Sequence, residues 1–296
     1  MSSSKINNAG KRNDLLLLII VGLPLLALAY VYVAAKVDLG QRYDVSAESV
    51  VVPVGQEAIL EGERLTRIRG CFWCHGESLE GQMYFANANK GIIAVAPNLT
   101  KKIREYTTAE FVRTLRNGVR PDGSSLQPAM PSFAFYNISN DDLGLMLAYL
   151  RSLPEQDGLP GQFRLLPIGW VRWVLGSLPP KVADLIDHSA ARPTAALNGS
   201  LQQRGKYLAE SICTECHGDN GRLRVPGTPD LAIAISYSRQ EFHQLMRTGQ
   251  PRHERAIDYH MVDASKYRYT ELTDAEVDAL YSYFQSFLNP ASAGTL

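Results

Sequence analysis

Two pentapeptides, Cys71-Phe72-Trp73-Cys74-His75 and Cys213-Thr214-Glu215-Cys216-His217, share the pattern Cys-x-x-Cys-His and contain every cysteine of the chain. This pattern is the attachment site of c-type haem. The two thiols of a motif can add to the two vinyl groups of one porphyrin, and the following histidine can ligate the iron from one side. We therefore predict two covalently bound haem c groups. The predicted residues are Cys71, Cys74, Cys213 and Cys216 for attachment, and His75 and His217 as iron ligands.

Two other kinds of site use paired cysteines, and the sequence argues against both. A zinc ribbon places its two pairs about 15–20 residues apart, whereas residues 76–212 separate these motifs. A thioredoxin-like redox site needs one pair within a βαβ pattern, and no such strand pattern surrounds either motif. Neither alternative requires a histidine directly after both pairs.

The charges of the chain are balanced, with 30 basic and 30 acidic side chains among 296 residues. Because nucleic-acid partners usually meet a strongly basic surface, the sequence predicts no nucleic-acid binding. The length allows two ordinary domains and an accessory segment.

The N-terminal part of the chain predicts a membrane anchor. Residues 15–35 carry no charged side chain, and a helix of this length, about 32 Å, matches the hydrocarbon core of a bilayer. Lys5, Lys11 and Arg12 precede it, so the positive-inside rule keeps the N-terminus cytoplasmic and exports the remainder of the chain. A cleaved signal peptide is the alternative, because Ala27-Leu28-Ala29 offers a small-x-small site, but the apolar run continues past it. We predict an anchor in a bacterial inner membrane with both motifs in the periplasm.

The segments around the two motifs repeat one plan. Each has a glycine-containing stretch before the motif, an aromatic–acidic stretch ending in glycine after it, and a closing stretch with an aromatic residue. The matched segments are 62–65 and 205–208, 106–111 and 237–242, 116–118 and 247–249, and 148–153 and 282–287. Apolar residues at helical spacing mark the closing helices, with Ser139 and Thr273 as predicted N-caps.

With this repeat, the chain resembles the class I cytochromes c. In those domains a helix carrying a glycine precedes the haem motif and crosses a C-terminal helix carrying an aromatic residue. The resemblance places Gly62 against Tyr149 and Gly205 against Tyr283. It implies an all-α fold in which an N-terminal transmembrane helix is followed by two class I cytochrome c domains. The predicted segments are 1–40 for the tail and anchor, 41–153 for the first domain, 154–198 for an apolar connector and 199–296 for the second domain.

The resemblance also implies a methionine ligand on the far face of each haem, which gives a higher reduction potential than a second histidine does. In the first unit Met130 stands in Gln127-Pro128-Ala129-Met130-Pro131, which resembles the family's Met-Pro loop. In the second unit Met261 lies as far after a glycine as Met130 does, but valine follows it instead of proline. His260 therefore stays open as the alternative ligand of the second iron.

Two further segments carry predictions. Pro97-Asn98-Leu99-Thr100 resembles a loop that lies along the haem edge in cytochrome domains of periplasmic dehydrogenases, and Pro229-Asp230-Leu231 is its shorter counterpart. The connector is too apolar for a free linker, and Trp170 and Trp173 fall on one helical face. It either packs between the two units or docks against the membrane or a membrane-embedded partner.

These observations predict an electron-transfer protein, not an enzyme. The expected function is relay of single electrons between a dehydrogenase or quinol-oxidising complex and a terminal acceptor such as an oxidase. The expected partners are redox proteins of a larger membrane complex. The layout is similar to the dihaem subunits of cbb-type oxidases and to the cytochrome subunits of periplasmic dehydrogenases. A dihaem enzyme, peroxidase-like or thiosulfate-oxidising, is the alternative, but no cysteine is left over to act as an unusual iron ligand.

Overall fold

The structure is a computed structural model. It describes residue 16 and residues 18–191, 199–218, 227–253 and 256–288. The basic residues Lys5, Lys11 and Arg12, on which the predicted orientation in the membrane rests, lie outside the described residues.

The predicted anchor is a helix. A π-helical turn over Leu18–Gly22 leads into α1, Leu23–Leu39, which continues through Ala27–Ala29 without a break. Together they form a helix, Leu18–Leu39, that is long and apolar enough to cross a membrane by length and composition. Ala35 is the one buried residue of α1, so its apolar side chains face outward.

The first unit is built from helices around an apolar core. Its helices are α2 (Gln56–Ile68), α3 (Cys71–His75), α4 (Leu99–Glu105), α5 (Thr108–Asn117), α6 (Ser132–Phe135) and α7 (Asn140–Ser152). α2 and α7 cross at Gly62, where an added Cβ would lie 2.0 Å from the Leu145 carbonyl oxygen and 2.9 Å from Tyr149 Cβ. The predicted contact of Gly62 with Tyr149 is confirmed.

A small sheet, which no pattern in the sequence predicted, joins the first unit to the connector. Strands β1 (Met83–Asn87) and β2 (Ile92–Val95) form an antiparallel pair. β3 (Gln162–Leu165), from the connector, pairs antiparallel with the other edge of β2, with Ile92 opposite Leu165. The connector is thus attached to the first unit by backbone hydrogen bonds.

The connector continues as helix α8, Pro167–Val174, which packs against α1. The Trp170 ring meets Tyr32 edge to face, with the ring centroids 4.7 Å apart. Trp173 Nε1 donates to Asp38 Oδ2 over 2.8 Å, and Lys181 Nζ lies 2.7 Å from Asp38 Oδ1. Both tryptophans therefore contact the C-terminal part of α1, and the connector packs on the N-terminal apolar helix of its own chain.

The second unit repeats the first in a shorter form. Its helices are α9 (Leu201–Leu208), α10 (Thr214–His217), α11 (Arg239–Thr248), α12 (Tyr259–Tyr267) and α13 (Asp274–Gln285). A π-helical turn covers Ala209–Cys213, and 3-10 turns cover Leu231–Ser236, Tyr269–Glu271 and Ser286–Leu288. α9 crosses α13 at Gly205, whose added Cβ would lie 1.9 Å from the Ala279 carbonyl oxygen and 2.7 Å from Tyr283 Cβ. The predicted second glycine–tyrosine contact is confirmed as well.

Side-chain caps explain where the repeated helices begin. The Ser139 and Thr273 side chains accept hydrogen bonds from the backbone N–H groups of Asp142 and Glu276, which confirms both as N-caps. Reciprocal capping boxes begin α5 and α11, and each of these helices ends at a glycine in the left-handed region, as is common at helix C-termini.

Three arginines join the two units. In the first unit, the fully buried Arg69 and Asp142 form an ion pair of 2.8 Å, and Tyr207 of the second unit donates to the same carboxylate over 2.6 Å. Arg64 of α2 reaches Glu276 of α13, with Nη1 2.8 Å from Oε2. The third, Arg268 of the second unit, donates from Nε to the carbonyl of Ile68 over 3.0 Å.

Candidate haem sites

The first motif forms a short helix whose histidine is held by a backbone carbonyl. His75 is buried, 5% exposed, and its Nδ1 lies 2.7 Å from the carbonyl oxygen of Pro97. Because a carbonyl can only accept, Nδ1 carries the proton, which leaves the Nε2 lone pair free for a metal. Burial lowers the pKa of His75, against the effect of the bond to Pro97, so the neutral ring needed for ligation is favoured.

The two cysteines of this motif and the histidine line one cavity of about 610 Å³. Cys71 is buried, and burial raises the pKa of its thiol to about 12 and that of Cys74 to about 11. Apolar side chains make up much of the remaining wall: Phe111, Leu115, Leu126, Phe135, Met146, Leu150 and Phe163.

The donor set and the apolar lining of this cavity fit a haem c group. Cys71 and Cys74 supply the attachment sulfurs, and His75 supplies a neutral imidazole. Lys101, Lys102 and Arg120 are also in the wall, and they are basic groups of the kind that pairs with the carboxylates of a porphyrin. Gln127 Oε1, in the same wall, is buried without a hydrogen-bond partner among the described residues.

Met130 lines the same cavity, as expected of the second iron ligand of the first unit. It is half-buried and packs against the core of this unit, directly before Pro131 and α6. The structure thus brings Cys71, Cys74, His75 and Met130 to one cavity.

The second motif repeats the arrangement of the histidine. His217 Nδ1 lies 2.9 Å from the carbonyl oxygen of Pro229, so this nitrogen carries the proton, as Nδ1 of His75 does. Cys213 is buried and Cys216 half-buried, and burial raises the pKa of their thiols to about 12 and about 11. Residues 219–226, between the motif and Pro229, lie outside the described residues.

The two candidates for the second methionine position differ in their surroundings. Met261 is half-buried and packs against the core of the second unit. The His260 side chain is 51% exposed, its Nδ1 lies 2.7 Å from Asp258 Oδ1, and its ring stacks 6.3 Å from that of Trp73. These contacts favour Met261 as the ligand and place His260 at the surface between the units.

The two proline loops have a role that the sequence did not reveal. The family resemblance placed Pro97 and Pro229 at the haem edge, and Pro97, Asn98 and Leu99 line the cavity of the first motif. In addition, the carbonyl of each proline is bonded to the histidine of its motif. The repeat was the signal that could have found this, because a proline occurs at the matching place in both units. The role of the loops is to orient the predicted iron ligands.

In the part of the chain that the structure describes, no group of three or more His, Cys, Asp or Glu side chains is arranged to hold a bare metal ion.

Two segments of the chain match known protein families. Residues 57–150 match the family described as "Cytochrome C oxidase, cbb3-type, subunit III", and residues 202–287 match the family described as "Cytochrome c". Each matched segment contains one Cys-x-x-Cys-His motif and both helices of the glycine–tyrosine crossing.

Several curated proteins are similar to the chain. It is 28% identical to the fructose dehydrogenase cytochrome subunit of Gluconobacter japonicus over 267 residues, which cover 80% of this chain and 54% of that protein. It is 31% identical to the cytochrome c subunit of the quinone alcohol dehydrogenase of Gluconobacter oxydans over 182 residues, 56% of this chain and 36% of that protein. A diheme cytochrome c-type protein of Cereibacter sphaeroides is 26% identical over 180 residues, 53% of this chain and 55% of that protein. The chain thus spans about half the length of the first of these relatives.

The chain therefore carries two cytochrome c domains, and it is homologous to cytochrome subunits of dehydrogenases and to a diheme cytochrome c. The predictions of a mostly helical cytochrome fold and of covalently bound haem c are confirmed. The relatives are named as cytochrome subunits of dehydrogenases, in agreement with the prediction of an electron-transfer component instead of an enzyme.

Proposed function

We propose that this chain is the electron-transfer subunit of a membrane-associated dehydrogenase, and that it passes single electrons through two haem c groups toward a terminal acceptor such as an oxidase. The observation that carries the proposal is the duplication of the haem motif in two units that are joined by buried polar contacts. Two redox groups fixed in one packed body suit a relay. The names of the relatives support a dehydrogenase as the electron donor.

In this proposal each haem is held by the sulfurs of its motif, with His75 and Met130 as ligands of the first iron. His217 and Met261 are the ligands of the second. When bound, haem supplies a one-electron couple, and a methionine ligand sets it at higher potential than a second histidine would.

The protein's own part is to orient the ligands and to exclude water. The carbonyls of Pro97 and Pro229 fix the histidine tautomer and ring angle, which also raises the basicity of the ligating nitrogen. The apolar wall of the first cavity keeps the dielectric low around the iron. No side chain of the chain is required to act as an acid, base or nucleophile.

The proposed location is a bacterial inner membrane, with α1 as the anchor and both cytochrome domains in the periplasm. The length and composition of Leu18–Leu39 support this. The packing of α8 on α1 holds the first unit close to the end of the anchor, so electrons would be exchanged near the membrane surface.

The test is purification of the full chain from its native membrane in mild detergent. We expect two haems per polypeptide by pyridine haemochrome assay, a dehydrogenase among the co-purifying proteins, and reduction of both haems when the substrate of that enzyme is added. A double variant, Cys213→Ala with Cys216→Ala, should lose one haem, keep the dehydrogenase bound and transfer electrons onward much more slowly.

Two results would contradict the proposal. One is recovery of the chain without any dehydrogenase while both haems are present. The other is turnover of hydrogen peroxide, or rapid binding of carbon monoxide to one reduced haem, because either would indicate an open catalytic iron.

A further inference from the structure

Arg268 lies between the two haem motifs, although neither motif contains it. It follows α12 directly and is buried, with its side chain 6% exposed. Its guanidinium makes bonds to both units, so its position is fixed from two sides.

On the side of the first unit, Arg268 contacts the backbone immediately before the first motif. Its Nε donates to the carbonyl of Ile68, the last residue of α2, over 3.0 Å. Gly70, the N-cap of the motif helix, lies so close that an added Cβ would be 2.8 Å from Arg268 Cζ and Nε. Gly70 also has a φ of 70°, so both its conformation and its surroundings require glycine.

On the side of the second unit, Arg268 pairs with a residue of the second motif itself. Two guanidinium nitrogens engage Glu215, with Nη1 3.1 Å from Oε1 and Nη2 2.8 Å from Oε2. Glu215 also lines the cavity of the first motif. One carboxylate therefore belongs to the second motif by sequence and to the first site by position.

The charges of this pair reach both sites. Although burial dominates, Arg268 opposes and Glu215 adds to the rise in the pKa of the thiols at Cys71 and Cys213. The ion pair of Arg268 and Glu215 therefore lies between the backbone that leads into the first motif and the second motif itself.

We propose that Arg268 and Glu215 form a shared electrostatic bridge that sets the reduction potentials of both haems together. They are positioning residues, since neither is a ligand. Oxidation of a haem adds one positive charge to the site, so a nearby carboxylate favours the oxidised state and a nearby guanidinium favours the reduced state. In the intact pair the effects of the two charges on the potentials nearly cancel, whereas either charge alone shifts the potentials of both haems.

The test is spectroelectrochemical titration of the purified full-length holoprotein and its variants. In Arg268→Met, Glu215 is left without its partner, and both midpoint potentials should fall. In Glu215→Gln, Arg268 is left alone, and both should rise. The double variant should return both potentials toward those of the wild type, because the cancellation is restored.

Two controls separate charge from structure. Arg268→Lys keeps the positive charge but loses the bidentate geometry of the guanidinium. The haem potentials of this variant should therefore stay closer to those of the wild type than the potentials of Arg268→Met do. Arg239→Met breaks a comparable bidentate pair, Arg239 with Asp278, on the exposed surface of the second unit, and it should move neither potential. If Arg268→Met does not fold, Glu215→Gln and Arg268→Lys still carry the test, because Glu215 is partly exposed.

The proposal would be overturned if a single variant moved only one of the two potentials, or if Arg268→Met and Glu215→Gln shifted the potentials in the same direction as each other. It rests on the proposed presence of a haem at each motif, which the haemochrome assay checks independently. If the variants keep both haems and their potentials do not shift, the bridge is rejected and the proposed function stays intact. If no dehydrogenase co-purifies but the potentials shift as expected, the proposed function is rejected and the bridge stays.

Discussion

At the scale of single residues, each predicted histidine ligand has one ring nitrogen committed to a prolyl carbonyl. The distances are similar, 2.7 Å for His75 and 2.9 Å for His217, although the loops that supply the prolines differ in length. A fixed tautomer removes one of the alternatives that the ring would otherwise sample before ligation. The two units therefore hold the histidine of the motif in the same way, although their loops differ in length.

The methionine ligands are tested residue by residue. Met130→Ala and Met261→Ala should each remove one of two methionine–iron absorption bands in the near infrared and lower one midpoint potential, because a soft neutral ligand is lost. Met83→Ala changes an exposed methionine on β1 and should alter neither band. His260→Ala should also leave both bands. If the His260→Ala variant changed the spectrum of the second haem and the Met261→Ala variant did not, His260 would be the ligand of the second iron.

At the scale of secondary-structure elements, the two helix crossings leave no space for an added side-chain atom. In both units the backbone of one helix lies against a carbonyl oxygen of the other, where even a methyl group has no room. Interiors this closely packed cannot relax around an added atom without moving a helix. The crossings therefore fix the angle between the helix before each motif and the closing helix.

Gly62→Ala and Gly205→Ala should each lower the free energy of unfolding by about 1–3 kcal/mol, because the added Cβ overlaps a backbone carbonyl. The measurement is denaturant unfolding followed by the haem absorption and by circular dichroism. Leu60→Ala and Gln202→Ala change exposed positions on the same two helices and should have much smaller effects. Equal losses in the glycine variants and in these controls would rule out the crossing as the cause.

The helices and their crossings could be predicted from the sequence, whereas the sheet could not. Helical spacing and the N-caps Ser139 and Thr273 are local patterns, and they predicted the closing helices. The repeat led to the resemblance to the class I cytochromes c, which implied the Gly62–Tyr149 contact. β1–β3 are short, and β3 pairs with a strand that lies far from it in the chain. Arg268 likewise meets Ile68 across most of the sequence. Contacts of this range depend on how the finished units pack, and one sequence carries no local signal for them.

The docking of the connector on the anchor is a further element-scale contact that can be tested. Trp173→Phe removes the hydrogen bond to Asp38, worth about 1 kcal/mol, and should speed amide hydrogen exchange in α8 about fivefold. Ile168→Ala changes an exposed residue of the same helix and should leave exchange near the wild-type rate. Equal rates in Trp173→Phe and the wild type would show that this bond does not hold α8 in place.

At the scale of the whole molecule, three arginine clusters join the cytochrome domains. Arg64, Arg69 and Arg268 each make contacts to charged or polar groups at the boundary, and each is at least half-buried. Buried ion pairs add little net free energy of folding, because desolvation offsets much of their attraction, but they fix the relative positions of the groups that they join. The interface thus specifies how the two domains are oriented.

The Arg64–Glu276 contact makes the interface sensitive to acid. Burial opposes the charge of Glu276, but the hydrogen bonds from Arg64 and Thr273 outweigh it and lower the pKa of this carboxyl below its ordinary value of 4.5. The stabilisation is therefore complete above pH 4.5 and is lost as the pH falls through the lowered pKa. Glu276→Gln should be less stable by about 2 kcal/mol at neutral pH, and the difference should shrink on acidification.

Calorimetry over this pH range provides the measurement. Glu276→Gln should also separate the unfolding of the two domains, which the wild type should unfold together near neutral pH. Glu241→Gln is the matched control, since Glu241 occupies the same capping-box position in α11 without an arginine from the other domain. If the difference in the free energy of unfolding between the wild type and Glu276→Gln stayed constant down to acidic pH, the role of the Glu276 charge at the interface would be contradicted.

The third strand of the sheet has a consequence for biogenesis. β3 is supplied by Gln162–Leu165, which come after the entire first domain in the chain. During synthesis Cys71 and Cys74 emerge well before this strand, so one edge of β2 stays open while the first pair of thiols is already accessible. A chain that still lacks Gln162–Leu165 therefore carries both thiols of the first motif beside a sheet of only two strands.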